Sequence, residues 1–156
     1  MGERIRNALF NSIGDEIKGA RVLDAFSGTG AIGFEALSRG AEHVTFIERD
    51  KLLQKILAGN IARLGVERNT NVIRTSVANW LSTTDSDPFD IIFADPPYHD
   101  TQFSTVARLL ELLKPSALMV LSHPGKGEVL SQNGVVVVDN RSYGNADLTF
   151  YRRGDA

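Results

Sequence analysis

An apolar run turns into a glycine-rich segment at Val22-Leu23-Asp24-Ala25-Phe26-Ser27-Gly28-Thr29-Gly30-Ala31-Ile32-Gly33. This order predicts a strand, a tight loop and the start of a helix. Gly28 and Gly30 allow the backbone to turn sharply and let a ligand approach its N–H groups, and Gly33 allows the helix to pack closely on the strand. The stretch therefore predicts a binding loop for a nucleotide-like cofactor.

Two cofactors fit the glycine spacing of this loop. The spacing satisfies the dinucleotide fingerprint, and Glu48 closes the next apolar run, where a carboxylate can accept hydrogen bonds from both ribose hydroxyls. Asp24 argues against a dinucleotide, because an acid just before the glycines repels a pyrophosphate. S-adenosylmethionine has an ammonium group, a ribose and an adenine but no phosphate, so we expect this cofactor. The alternatives are a nicotinamide-dependent oxidoreductase and an ordinary glycine-rich turn.

A second chemical motif follows a later apolar run, at Phe89-Asp90-Ile91-Ile92-Phe93-Ala94-Asp95-Pro96-Pro97-Tyr98. The run predicts a strand that is buried on both faces, as in the centre of a parallel sheet. The double proline ends that strand in a stiff corner, which directs the Asp95 carboxylate and the Pro96 carbonyl beyond the strand end. The segment resembles the Asp-Pro-Pro-Tyr motif of methyltransferases that modify exocyclic amino groups of nucleobases.

Length and composition predict one domain over residues 1–156. The chain has 14 glycines and is 42% hydrophobic, which fits a single core. The sequence shows neither an apolar run of about 20 residues nor a signal-peptide pattern, so we expect a cytoplasmic protein. It contains no cysteine and its three histidines are scattered, which argues against a metal site. The net charge of −2 argues against a global basic field for nucleic acid.

Hydrophobic periodicity predicts an alternation of helices and strands. The predicted helices cover residues 3–14, the segment from the glycine loop to Arg39-Gly40, 50–64 and 102–113, with a short helical turn over 76–81. The predicted strands lie at 21–25, 44–47, 72–73, the run before Pro96, 117–121, 135–138 and 147–151. The last two strands have no helix between them, which predicts an antiparallel hairpin at one edge of a mostly parallel seven-stranded sheet. This α/β pattern resembles the Rossmann-like architecture of class I S-adenosylmethionine-dependent methyltransferases, which is the fold we expect.

The two motifs are expected to meet in one cleft. Ligands of open parallel sheets bind beyond the carboxyl ends of the strands, and both the glycine loop and Asp95 follow such ends. If strands one and four are neighbours, the cofactor and the group to be modified therefore lie side by side.

Nearly the whole chain resembles the bacterial small-subunit ribosomal RNA guanine-N2 methyltransferase family (RsmD-like). The resemblance is carried by residues 4–11 (RIRNALFN), 35–41 (EALSRGA) and 143–152. It implies methyl transfer from S-adenosylmethionine to N2 of a guanine in small-subunit ribosomal RNA, either free or in an assembling subunit. Two features differ from the family pattern. The segment that usually precedes the opening helix and is expected to help hold the RNA is not in this sequence, and Ser76 stands where an acid commonly contacts the adenine amino group.

Motifs and resemblance together assign roles to individual residues. For catalysis, Asp95 and the Pro96 carbonyl accept the amino hydrogens of the base, Pro97 stiffens the corner and Tyr98 stacks on the base. The predicted cofactor-binding residues are Asp24, Phe26, Ser27, Gly28, Gly30, Glu48, Arg49, Ser76 and Val77. The predicted substrate-binding residues are Arg4, Arg6, Asn11 and Tyr98. Because the motif serves either purine, adenine-N6 methylation of DNA or RNA remains an alternative, as does a cofactor-binding fold without catalysis.

Overall fold

A seven-stranded sheet forms the centre of the computed structural model, which describes residues 1–97, 99–125, 132–144 and 146–155. Its strands are β1 (Arg21–Ala25), β2 (His43–Ile47), β3 (Thr70–Ile73), β4 (Phe89–Ala94), β5 (Leu113–His123), β6 (Val135–Tyr143) and β7 (Ala146–Arg153). Their order across the sheet is β3-β2-β1-β4-β5-β7-β6. Strands β1 to β5 are parallel, and β7 is antiparallel to both of its neighbours. The expected parallel sheet with an antiparallel hairpin at one edge is confirmed.

Helices cover both faces of the sheet. They are α1 (Glu3–Ile13), α2 (Ala31–Ser38), α3 (Lys51–Leu64), α4 (Val77–Thr83) and α5 (Phe103–Leu109). Apolar side chains of α1, α2 and α3 pack in one buried cluster, and those of α4 and α5 pack in a second. Successive residues of β1 alternate between the clusters, with Val22 in the first and Leu23 in the second, because side chains of a strand point alternately to its two faces.

The segment before β5 differs from the prediction of a helix over 102–113. After α5 the chain makes a 3₁₀ turn at Leu110–Leu112, and β5 begins at Leu113 rather than at residue 117. Pro115 therefore lies inside the strand. The register of β5 against β4 shifts over this stretch, and such an irregularity tolerates a proline, which lacks the N–H that a regular ladder requires.

Strands β1 and β4 are neighbours, as the shared cleft requires. Asp24 pairs in register with Phe93, and Ala25 pairs with Ala94. The glycine loop after β1 and the Pro-Pro corner after β4 therefore leave the sheet at adjacent positions on the same edge.

Two properties of the described ranges bear on other kinds of function. None of the helices there is long and apolar enough to cross a membrane. In those same ranges, no group of three or more histidines or acidic residues is arranged to hold a metal ion.

Candidate active site

A cleft of about 320 Å³ lies at the carboxyl ends of the central strands. The predicted site residues that line it are Phe26, Gly28, Glu48, Arg49, Ser76, Val77, Asp95 and Pro97. The structure thus brings the glycine loop and the Pro-Pro corner into one cavity, and its volume is in the range of small-molecule sites.

The glycine loop turns through left-handed backbone conformations. The φ angle is +57° at Gly28 and +92° at Gly30, where the lack of a Cβ removes the strain. Phe26 adopts a φ of +58° although it is not a glycine, and strained residues of this kind concentrate at functional sites. Gly33 has no Cβ, and a Cβ at this position would lie 2.3 Å from the ring of Phe46. The glycine therefore allows α2 to approach the sheet closely.

Glu48 fastens the glycine loop to the end of β2. Its Oε1 accepts a hydrogen bond from the Gly28 N–H at 2.7 Å, and its Oε2 accepts one from the Asp50 N–H at 2.8 Å. The residue is only 8% exposed, yet it lines the cleft. Asp50, not Glu48, caps α3, because its Oδ1 accepts a hydrogen bond from the Leu53 N–H. Each carboxylate oxygen of Glu48 retains a lone pair for a further donor, such as a ribose hydroxyl.

Asp24 lies beneath the loop and does not line the cleft. It is 1% exposed, and its Oδ2 accepts a hydrogen bond from the Gly33 N–H at 3.0 Å. Burial raises the pKa of the Asp24 carboxyl well above its usual value, the bond from Gly33 opposes the rise, and the charges of Asp95 and Glu48 add to it. Because Asp24 is buried and set back from the cleft lining, the charge argument from the sequence is weaker in the folded protein. Its contact with a cofactor ammonium group stays a prediction.

Ser27 and Gly30 shape the loop from behind the cleft lining. The Ser27 hydroxyl donates to the Ile47 carbonyl at 3.0 Å, and the Ser27 carbonyl accepts from the Gly30 N–H at 2.9 Å. These bonds hold the backbone turn, while direct contact of either residue with the cofactor remains a prediction.

Ser76 is the N-cap residue of α4 and lines the cleft. Its hydroxyl oxygen accepts a hydrogen bond from the Asn79 N–H at 3.0 Å. The hydroxyl hydrogen is free to donate, so the arrangement suits a ring nitrogen of adenine as well as the predicted acceptance from the adenine amino group.

Asp95 stands at the end of β4 with its side chain 21% exposed. Among the residues that the structure describes, its ionic contact is with the nitrogen of Met1, 3.6 Å from Oδ2. Pro96 is buried, whereas Pro97 is exposed and lines the cleft. Tyr98 lies outside the described residues, and its predicted stacking on a base stays a prediction.

Three of the predicted substrate-binding residues, Arg4, Arg6 and Asn11, lie on α1 and outside the cleft lining. Arg4 is exposed. Arg6 Nε lies 3.8 Å from Glu35 Oε1, and the Asn11 side-chain oxygen accepts a hydrogen bond from Arg39 Nη1 at 3.2 Å. Their contact with a substrate stays a prediction.

Several residues that line the cleft were not predicted. They are Ile47, Asp50, Leu53, Thr75, His99, Asp100 and Gln102. The sequence does contain a signal for Asp50 and Leu53. They lie at the start of the helix that follows Glu48, and a helix in that position must begin at the edge of the cleft. No signal existed for Gln102, whose φ of +49° is rare for a residue other than glycine.

Comparison with known proteins identifies the family. A family model described as conserved hypothetical protein 95 matches residues 1–152. The ribosomal RNA small subunit methyltransferase D of Haemophilus influenzae is 34% identical, over 97% of this chain and 81% of that protein. The chain belongs to this family. The methyltransferase of the same name from Buchnera aphidicola is 42% identical over 69% of this chain, and the alignment spans 56% of that relative.

Solved structures of the family have the same architecture. A putative methyltransferase from Escherichia coli is 30% identical and superposes with a TM-score of 0.90, over 99% of this chain and 86% of that chain. The expected RsmD-like resemblance and the Rossmann-like methyltransferase fold are therefore confirmed.

Proposed function

We propose that this chain transfers a methyl group from S-adenosylmethionine to N2 of a guanine in small-subunit ribosomal RNA. The observation that carries the proposal is the shared cleft, in which Glu48 and Asp95 follow the two strands that flank β1. One carboxylate is placed to hold a ribose and the other to hold an amino group. Holding the cofactor and the base in one cavity makes the bimolecular transfer effectively unimolecular, which lowers its entropic barrier. The names of the relatives support ribosomal RNA as the substrate.

The chemistry of the cleft fits S-adenosylmethionine. Glu48 offers acceptors for two ribose hydroxyls, and we expect the backbone at Phe26 and Gly28 to bind the methionine end. We expect Ser76 and Val77, at the start of α4, to bind the adenine, and Leu53 adds an apolar side chain to the lining. The lining thus contains hydrogen-bonding and apolar groups for each part of the cofactor, which supplies an activated methyl group when it is bound.

The task of the protein is to improve a poor nucleophile. The lone pair of an exocyclic amino group is conjugated with its ring, so the nitrogen is flat and unreactive. Asp95 and the Pro96 carbonyl accept hydrogen bonds from its two N–H groups. These bonds draw the nitrogen toward tetrahedral geometry and direct its lone pair toward the methyl group. The Asp95 carboxylate also stabilises the positive charge that develops on the nitrogen, and Asp95 or water then takes the proton.

The base must leave its stack before it can enter the cleft, because an amino group inside a helix or stacked loop is out of reach. Pro97 lines the entrance, and Tyr98 is predicted to stack on the base there. Arg4, Arg6 and Asn11 are predicted to hold the surrounding RNA.

Transfer of a labelled methyl group tests the proposal. S-adenosylmethionine is incubated with small ribosomal subunits, ribosomal RNA or DNA, and labelled nucleosides are identified. N2-methylguanosine from the RNA supports the proposal, whereas N6-methyladenine would show that the methylated base is adenine and not guanine. Cofactor binding without any labelled product would refute the enzymatic function. The Asp95→Asn variant, which has the same shape without the charge, serves as the negative control.

A further inference from the structure

Two arginines meet at one carboxylate on the surface formed by α1 and α2. Glu35 Oε2 accepts a hydrogen bond from Arg39 Nε at 3.0 Å, and Glu35 Oε1 lies 3.8 Å from Arg6 Nε. The side chains of Arg6 and Arg39 are 20% and 30% exposed. Glu35 thus holds two positive charges side by side, where they would otherwise repel each other. We call Arg6, Glu35 and Arg39 the arginine clamp.

Arg39 is held in a defined position. Its guanidinium carbon lies 5.3 Å from the centre of the Phe10 ring, and its Nη1 donates to the Asn11 side-chain oxygen at 3.2 Å. Phe10 is itself buried, so it provides a rigid support. A guanidinium has five N–H donors, and the bonds to Glu35 and Asn11 use two of them. The remaining donors of Arg39 form a fixed fork that suits a phosphate.

Arg6 has a hydrogen-bonding capacity that the protein does not use. Its Nε is shielded from solvent and has no hydrogen-bond partner among the described residues. The 3.8 Å separation from Glu35 is too long for a hydrogen bond. Buried donors without a partner are rare in folded proteins and call for an explanation. The Arg6 side chain is nevertheless 20% exposed, so an anion can approach other parts of its guanidinium, and a small shift of the side chain would let Nε donate to it as well.

The arginine clamp lies on a path that leads away from the cleft. Helix α1 begins beside Asp95, as the 3.6 Å contact of the Met1 nitrogen shows, and α2 begins at the glycine loop. Arg39 follows the last residue of α2, about 12 Å along the helix axis from its start. This surface is therefore within reach of the phosphates that neighbour a base inserted at Asp95.

We infer that Arg6 and Arg39 bind backbone phosphates of the RNA whose base enters the cleft, and that Asn11 is a positioning residue that acts through Arg39. The inference rests on the proposed function for its ligand. Phosphate contacts fix the position of a nucleic acid without reading its sequence, which is the role that a rigid fork outside the cleft can perform. Arg39 is thus a phosphate-binding residue that the sequence did not indicate. Asn11 does not contact the RNA directly but holds Arg39 in position.

The first test compares Arg39→Gln with Arg63→Gln. Arg63 lies in the last turn of α3 and also donates to an asparagine, Asn60, at 2.6 Å, so its substitution removes the same charge from a similar setting. Affinity for a transcript of small-subunit ribosomal RNA is measured over a series of salt concentrations. Arg39→Gln is expected to weaken binding about five- to tenfold and to lower the salt slope by about one, while Arg63→Gln binds as the unaltered chain does. Equal effects of the two variants would overturn the clamp.

A second test separates positioning from direct contact. Asn11→Ala is expected to weaken RNA binding about two- to threefold, with Asn71→Ala at an exposed position of β3 as its control. In the Arg39→Gln background, Asn11→Ala is expected to have no further effect, because its role passes through the guanidinium. A loss that persists there would refute the positioning role. Arg39→Lys keeps the charge without the fork and is expected to restore the salt slope but only part of the affinity.

Unfolding temperatures and methyl transfer complete the experiment. A lower unfolding temperature of Arg39→Gln with unchanged RNA affinity would show a merely structural ion pair and overturn the clamp. RNA binding that depends on Arg39, without methyl transfer by the unaltered chain, would refute the proposed enzymatic function and leave the clamp standing. Methyl transfer to RNA that binds equally well without Arg39 would refute the clamp alone.

Discussion

The two halves of the cleft are held in different ways. In the half that contains the glycine loop, both oxygens of Glu48 accept backbone hydrogen bonds, at 2.7 and 2.8 Å. In the half that contains the Pro-Pro corner, Asp95 has an ionic contact at 3.6 Å, and His99 and Asp100 are exposed. The folded chain by itself thus fixes the position of Glu48 in the cofactor half. The substrate half keeps acceptors free, and interactions made only with the reacting base are those that accelerate a reaction.

The largest effect is expected from Asp95→Ala in the substrate half. Loss of the carboxylate removes an amino-hydrogen acceptor and the stabilisation of developing charge, so kcat should fall about 10²- to 10³-fold. The affinity for S-adenosylmethionine should stay within a few-fold, as measured by calorimetry. Asp85→Ala, at an exposed position before β4, controls for a general loss of negative charge. A large loss of cofactor affinity in Asp95→Ala would remove the division between the halves.

The next largest effect is expected from Glu48→Ala in the cofactor half. The Kd for S-adenosylmethionine should rise about 10- to 100-fold, because a charged acceptor is lost. The kcat at saturating cofactor should change only a few-fold, since Glu48 does not touch the amino group. Glu42→Ala, an exposed acid just before the other end of β2, is the matched control. If kcat fell as far as in Asp95→Ala, the two carboxylates would not have separate roles.

Gly33→Ala tests how rigidly the cofactor half is packed. The added Cβ would meet the Phe46 ring at 2.3 Å and Val44 Cγ1 at 2.9 Å, so the free energy of unfolding should drop by about 1–3 kcal/mol. Gly59→Ala is a matched helical substitution with no atom within 4 Å of the new Cβ, and it should stabilise α3 slightly. Denaturant unfolding of both variants measures the difference. Equal stability would mean that α2 moves aside easily and that this half is not rigid.

The smallest effect is expected from Asp24→Asn and depends on pH. Burial raises the pKa of Asp24 in the folded protein, so its contribution to stability is complete below the usual pKa of 3.8 and is lost as pH rises through the raised value. The asparagine does not titrate but still offers an oxygen to the Gly33 N–H. The unfolding temperature of the variant, relative to the unaltered chain, should therefore increase as pH rises from 4 to 8. Parallel curves would show that Asp24 titrates normally.

The fold was largely predictable from the chain because its patterns are local. The pattern of apolar residues predicted where the strands lie along the chain, and the lack of a helix before the last strand predicted the hairpin. The start of β5 was missed because Pro115 normally ends regular structure, whereas here a shift in strand register accommodates it. The left-handed Gln102 beside the cleft has no local pattern at all.

The sequence by itself determined the chemical groups of this protein: a glycine loop after one strand, the Glu48 carboxylate after the next, and Asp95 before two prolines. It did so because turns, strand ends and helix spacing depend on residues close together in the chain. Only the tertiary structure decided which groups face the cleft, burying Asp24 beneath the loop and bringing Arg6 and Arg39 to one carboxylate. Those outcomes depend on contacts between residues distant in sequence, which the periodicity of side chains along one segment does not specify.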